Sequence, residues 1–188
     1  MWRSRKSAED VLKTGRFENI VLPHLSAAYN LARRLTRHSE NAEDLVQEAC
    51  MRAFKFFDGF HGNDARAWLL TIVRNTCYTW LQNAKVENCR TDYDEDTHSV
   101  EQDTSALDLW RGDPAILLLR HADQELINRA LDQLPVEFRE VMVLRELEDF
   151  SYKEIAAIAD IPLGTVMSRL ARARKLLVEI VQRMKRDA

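Results

Sequence analysis

Cysteine, glycine and proline are all scarce. The three cysteines, Cys50, Cys77 and Cys89, are too few and too far apart for a disulfide framework, and no C-x-x-C pair is present to hold a structural zinc. That usage fits a reducing compartment. Five glycines and four prolines in 188 residues supply too few turns for a many-stranded sandwich or barrel, and they exclude a collagenous or low-complexity chain. Long apolar runs are missing as well. Ala115–Leu119, five residues, is as long as any, against the roughly 20 that a membrane span requires. The basic N-terminal stretch MWRSRKSAED is followed by no apolar segment, so neither a signal peptide nor membrane insertion is expected. There is no P-loop, G-x-G-x-x-G or nucleophile elbow. The histidines show no H-x-x-x-H spacing, and the single E-x-x-H, Glu95 to His98, lacks the second motif and further carboxylates that a di-iron bundle needs. The expectation is a protein without catalysis, metal or cofactor.

What is present is apolar content and charge segregation. At 46% apolar, the chain can bury one large core or two modest ones. The formal net charge of −3 conceals a sharp division. Residues 87–113 hold nine acids against Arg90 and Arg111, a local balance of −7. Residues 163–188 hold seven bases and two acids, a local +5. A near-neutral average therefore does not argue against a nucleic-acid partner, because binding follows the local patch.

The punctuation divides the chain into a short N-terminal extension (1–15), a helical unit (16–84), an acidic linker (85–113) and a second helical unit (114–188). The linker has few large apolar residues and is expected to be flexible, because it cannot bury a core of its own. In residues 17–36, Ile20, His24, Ala27, Ala28, Leu31 and Leu35 share a helical face, and Pro23 marks where the regular helix starts. In residues 39–57, Ser39 or Asn41 can cap a second helix, whose apolar stripe is Leu45, Ala49, Ala53 and Phe56. Asp44, Gln47, Glu48 and Arg52 lie on or beside the opposite face. Asp64 can cap a third helix over 65–82, with Trp68, Leu69, Ile72, Val73, Cys77, Trp80 and Leu81 inward. Arg74, Tyr78 and Gln82 recur every four residues on its other side, with Asn75 beside them. The second unit reads as helices over 114–134 and 136–147, a short helix, a tight turn and a long helix, so the fold class is all-α.

The most specific stretch is SYKEIAAIADIPLGTVMSRLARARKLL. Ser151 and Glu154 form an S-x-x-E capping box, and Ile155, Ala156, Ile158 and Ala159 give the short helix a small apolar face. Asp160–Gly164 supply the turn, and Thr165 opens a helix with Val166, Leu170, Leu176 and Leu177 inward and Ser168, Arg169, Arg172 and Lys175 outward. This is a helix-turn-helix pattern, in which the first helix braces a second that enters the major groove.

With AEDLVQEACMRAF, WLLTIVRN and LPVEFREVMVLRELEDFSYKEIAAIADIPLGTVMSRLARARKLL in that order, the chain resembles a bacterial sigma factor of the extracytoplasmic-function type over residues 17–82 and 114–180. The resemblance implies two helical domains, like sigma regions 2 and 4, joined by a variable linker. It implies a transcription initiation factor that binds core RNA polymerase and promoter DNA, acts in the cytoplasm in a stress response, and is held by an anti-sigma factor. By that resemblance Asp44, Leu45, Gln47 and Glu48 dock on the polymerase clamp. His61, Asn63, Asp64, Arg74, Asn75 and Tyr78 face the −10 element. Thr165, Met167, Ser168, Arg169, Arg172 and Lys175 face the −35 element. Met167 and Gln82 depart from the pattern, each standing where the family commonly carries a basic residue. The competing reading is a helix-turn-helix regulator that binds duplex DNA alone, with residues 16–84 sensing or dimerising; a helical metalloenzyme would need bound metal.

Overall fold

The computed structural model describes residues 2–62, 64–88 and 124–187. Among these every regular element is helical. Packing divides the chain between Leu81 and Gln82 into two units, each with its own core.

The first unit begins with α1 (Trp2–Val21), followed by a 3-10 turn (Leu22–His24), α2 (Leu25–Thr36), α3 (Ser39–Phe56), a second 3-10 turn (Phe57–Gly59) and α4 (Ala65–Asn88). The regular helix thus starts just after the proline, as expected, and the residues before it belong to a separate helix, α1. α1 runs straight through Gly15, where a helical glycine costs about 1 kcal/mol but forces no break. Pro23 cannot donate into a helix interior, so it sits at the first positions of the 3-10 turn and a new helix starts after it. Between α2 and α3 the chain turns through Arg37 at φ 66°, a left-handed residue closing α2, while the Thr36 hydroxyl, with one proton to give, lies 2.9 Å from Ala32 O and 3.0 Å from His38 O. His38, not Ser39 or Asn41, stands at the N-cap of α3, without a side-chain cap bond. Small residues let α2 and α3 pack closely: Ala27, Ala28, Leu31 and Ala32 are buried, as are Ala42, Leu45, Ala49 and Ala53.

From α4 the core receives Leu69, Leu70, Val73 and Cys77, while Trp68, Ile72, Trp80 and Leu81 are only half-buried. An aromatic chain joins α1 to the start of α4. Phe17 meets Phe54 and Phe57 edge-on at 5.2 and 5.3 Å, and Phe60 lies 4.7 Å from Trp68. Phe57 replaces Phe56 as the buried aromatic, with Phe56 left 61% exposed. The α-helical period counts Phe56 inward, but α3 ends there and the tighter 3-10 turn resets the phase.

The second unit has α5 (Gln124–Gln133), α6 (Val136–Met142) widening into a π-helical turn (Val143–Leu147), α7 (Tyr152–Ala159) and α8 (Leu163–Arg186). Of the expected acidic linker, 85–113, residues 85–88 belong to α4, because helical hydrogen bonding runs on past the stripe that marks the helix; residues 89–113 and the start of the helix expected over 114–134, residues 114–123, lie outside the described residues, as do Cys89, Glu95, His98 and His121. α8 is the spine. α5, α6 and α7 pack on it through Val166, Leu170, Ala173, Leu177, Ile180 and Val181. Arg139 is buried in this core. Its guanidinium donates to the carbonyls of Leu131 at 2.9 Å, Asp132 at 3.1 Å and Leu134 at 2.6 Å, closing the C-terminal end of α5.

Candidate functional site

Two surfaces carry most of the expected residues. On α3, Asp44 and Gln47 are exposed, and Glu48 is half-exposed and ion-paired to Arg52 one turn on. Leu45, which the resemblance groups with them, is core at 5% exposure, as its place on the apolar stripe predicts. Its spacing to Ala49 and Ala53 puts it on the inward face, with Glu48 at the edge of that face and Asp44 further round. Met51, which sequence periodicity passed over, stands 63% exposed on the acidic side of the helix. Asp44, Glu48, Met51 and Lys55 follow at helical spacing, so the α3 strip is an apolar residue set among charges.

On α4 the expected polar–aromatic stripe comes together. The Arg74 guanidinium lies over the Tyr78 ring, 4.1 Å from its centroid, and Arg74 Nη1 donates to Asn75 Oδ1 at 3.1 Å. The ring presents a face for stacking and Asn75 an amide edge. The loop leading into α4 is tied down at both ends. His61 Nδ1 is 2.9 Å from Gly59 O, and Asp64 Oδ1 accepts from Ala67 N–H at 2.9 Å, the cap read from the sequence. Asn63 lies outside the described residues.

The helix-turn-helix is formed by α7 and α8. Ser151 accepts from Glu154 N–H at 3.3 Å while the Glu154 carboxylate accepts from Ser151 N–H at 2.7 Å, so the reciprocal capping box is intact. Ile155, Ile158 and Ala159 are buried against the core. The turn differs in detail from the expectation. Asp160, at φ 54°, takes the left-handed position, and Pro162 is the N-cap of α8, which starts two residues before Thr165. Gly164 is therefore helical, and a Cβ there would meet nothing within 4 Å.

Above the buried line of α8, Ser168 and Lys175 are exposed and Thr165, Met167, Arg169 and Arg172 are half-exposed. Leu176, expected inward, is half-exposed, and Ala173 fills the inner line instead. Not every base of the C-terminal run points outward. Arg174 is 11% exposed and pairs with Glu146 at 2.7 Å. Burial works against its charge, but the Glu146 hydrogen bond and charge, with a contribution from Tyr152, hold the guanidinium above its ordinary pKa. Arg183 donates to Gln133 Oε1 at 2.7 Å, tying α8 to α5.

Among the described residues no group of His, Cys, Asp or Glu is placed to hold a metal ion, and no helix is long and apolar enough to cross a membrane. Burial pushes the Cys77 thiol up to about 12, which keeps it protonated and unreactive.

A capped helix-turn-helix whose second helix carries exposed bases, on a chain with a further helical unit, defines an all-helical DNA-binding protein. Comparison with known proteins narrows the class. Residues 20–86 match the family described as Sigma-70 region 2, and residues 124–177 match Sigma-70, region 4. The RNA polymerase sigma-H factor of Pseudomonas aeruginosa is 31% identical over 178 residues, 92% of this chain and 89% of that one. The ECF RNA polymerase sigma-E factor of Escherichia coli K12 is 34% identical over 146 residues, 77% of this chain and 75% of that one. Among solved structures, the sigma factor RpoE in complex with the anti-sigma factor NepR from Bartonella quintana matches with a TM-score of 0.66 and 29% identity, covering 89% of this chain and 97% of that one. The chain belongs to the sigma-70 family, in its extracytoplasmic-function group. It is a transcription initiation factor and not an enzyme.

Proposed function

We propose that this chain engages core RNA polymerase through α3, chiefly Asp44, Gln47 and Glu48, and presents two separate readers to promoter DNA. Residues 16–84 form the polymerase-binding and −10-reading domain, with His61, Asn63 and Asp64 in the loop and Arg74, Asn75 and Tyr78 on α4. Residues 85–113 join it to the −35-reading domain, 114–188, whose contact residues are Thr165, Met167, Ser168, Arg169, Arg172 and Lys175. The protein works in the cytoplasm under an anti-sigma factor, in a stress response. The likeness to a sigma factor solved with its anti-sigma partner supports that regulation.

The observation that carries the reading is chemical separation. An acidic strip with Met51 at its centre lies on α3, and a basic strip over a fully apolar inner line lies on α8. The acidic strip suits a basic protein helix, and the basic strip suits phosphates and guanine edges. A sigma factor needs both at once; a stand-alone regulator needs only the second.

The test uses purified chain, core enzyme and promoter DNA. Arg169→Ala with Arg172→Ala should weaken −35 recognition about tenfold or more while leaving affinity for core intact. Asp44→Ala with Glu48→Ala should lower affinity for core while leaving DNA contacts alone. Equal loss of core affinity in both pairs overturns the assignment of roles. Specific promoter binding by the chain alone, without association with core, overturns the sigma reading in favour of a stand-alone regulator.

A further inference from the structure

We propose that Met167 and Ala171 form an apolar base-reading edge on α8 that selects thymine in the −35 element by its methyl group. The proposal rests on the reading of α8 as the −35 reader. Each helical residue turns about 100°. Measured from the buried line of Val166, Leu170 and Ala173, the summit of the helix falls at Ser168 and Lys175, both exposed. The two flanks of that summit differ in chemistry. One carries Thr165, Arg169 and Arg172; the other carries Met167 and Ala171, one turn apart and both half-exposed, followed by Arg174, whose guanidinium is turned into its pair with Glu146.

The basic flank has obvious ligands in phosphates and guanine. An apolar flank has one kind of partner on the floor of the major groove. The C5-methyl of thymine is the only apolar group that a base edge displays there. Met167 is long, flexible and polarisable, and Ala171 is short enough to leave room beside it for a methyl. Ser168 sharpens the selection. Its hydroxyl donates to Thr165 O at 3.1 Å, so it turns lone pairs outward and accepts from an exocyclic amino group, such as adenine N6. A methyl on one strand and an amino donor on the other are two of the features that an A·T pair displays in the major groove.

The experiment uses the full chain with core enzyme and a promoter fragment found by run-off transcription. Each thymine of the −35 element, on either strand, is replaced singly by deoxyuridine, which removes the methyl and nothing else. The wild-type complex should weaken about fourfold at one or two positions, the worth of one buried methyl. In Met167→Ala the thymine promoter should bind about fourfold more weakly, and the same deoxyuridine should then cost nothing. Insensitivity to every deoxyuridine overturns the proposal, as does a −35 element without an A·T pair. So does a Met167→Ala loss of equal size on the thymine and the deoxyuridine promoter, which marks a packing role. Arg169→Ala is the control. If it too leaves DNA binding unchanged, the assignment of α8 as the −35 reader has failed, not merely its thymine preference.

Discussion

A guanidinium held at 1% exposure is costly unless its donors are met, and Arg139 meets them with three carbonyls at the end of α5. Helix ends leave carbonyls without intrahelical partners, and here one side chain from the next helix satisfies them. Arg139→Ala should therefore destabilise the second unit by about 3 kcal/mol or more, lowering the melting temperature of its transition by over roughly 12 °C in calorimetry. Arg139→Lys should recover little, since a single ammonium cannot span carbonyls from three residues. A loss under about 1 kcal/mol would mean that water serves those carbonyls equally well. Arg139 was visible in the sequence only as one letter of a familiar string, because nothing in its spacing marks it as buried. The same scale accounts for two single residues. Leu45 lies on the apolar stripe and is buried as its period reads, although it sits inside the string that the resemblance links to docking, and Phe56 loses its inward place to Phe57 where α3 tightens.

Elements were most legible where sequence carries local chemistry. The capping box at Ser151 and the Asp64 cap form as read, because each needs only side-chain oxygens at fixed offsets from free N–H groups. The turn between α7 and α8 was less legible. A glycine is the usual sign of a left-handed residue, yet Asp160 takes that position and Gly164 is helical. The widening of α6 into a π turn, which leads through Asp149 at φ 52° to the buried Phe150, has no sequence signature at all. Because α7 is only eight residues, its stability leans on its ends. Ser151→Ala should cost about 1 kcal/mol of folding free energy, visible as a shift of the denaturant midpoint at unchanged slope. Ser151→Asp, which can also cap, should restore most of that; failure of the rescue would show that the hydroxyl serves something other than α7.

At the scale of the whole chain, two all-helical units and their order were readable because period, caps and motif order agree with one another. What composition hid was where the charge lies. Residues 87–113 carry −7 and residues 163–188 carry +5 on the same chain, so opposite charges are tethered at high effective concentration. Part of the positive set is engaged within the fold, Arg174 by Glu146 and Arg183 by Gln133, so the +5 of this segment is not all turned outward. An acidic segment competing for that strip would suppress binding to arbitrary DNA until polymerase and promoter supply stronger contacts. Replacing Asp92, Asp94, Glu95 and Asp96 by their amides should therefore tighten binding of the chain alone to non-specific duplex several-fold at about 50 mM salt, measured by fluorescence anisotropy. The gain should vanish by about 0.5 M salt, where screening acts within about 4 Å. Equal affinities of the two proteins at low salt would show that the segregated charges do not compete, and that restraint on arbitrary DNA comes from elsewhere in the chain.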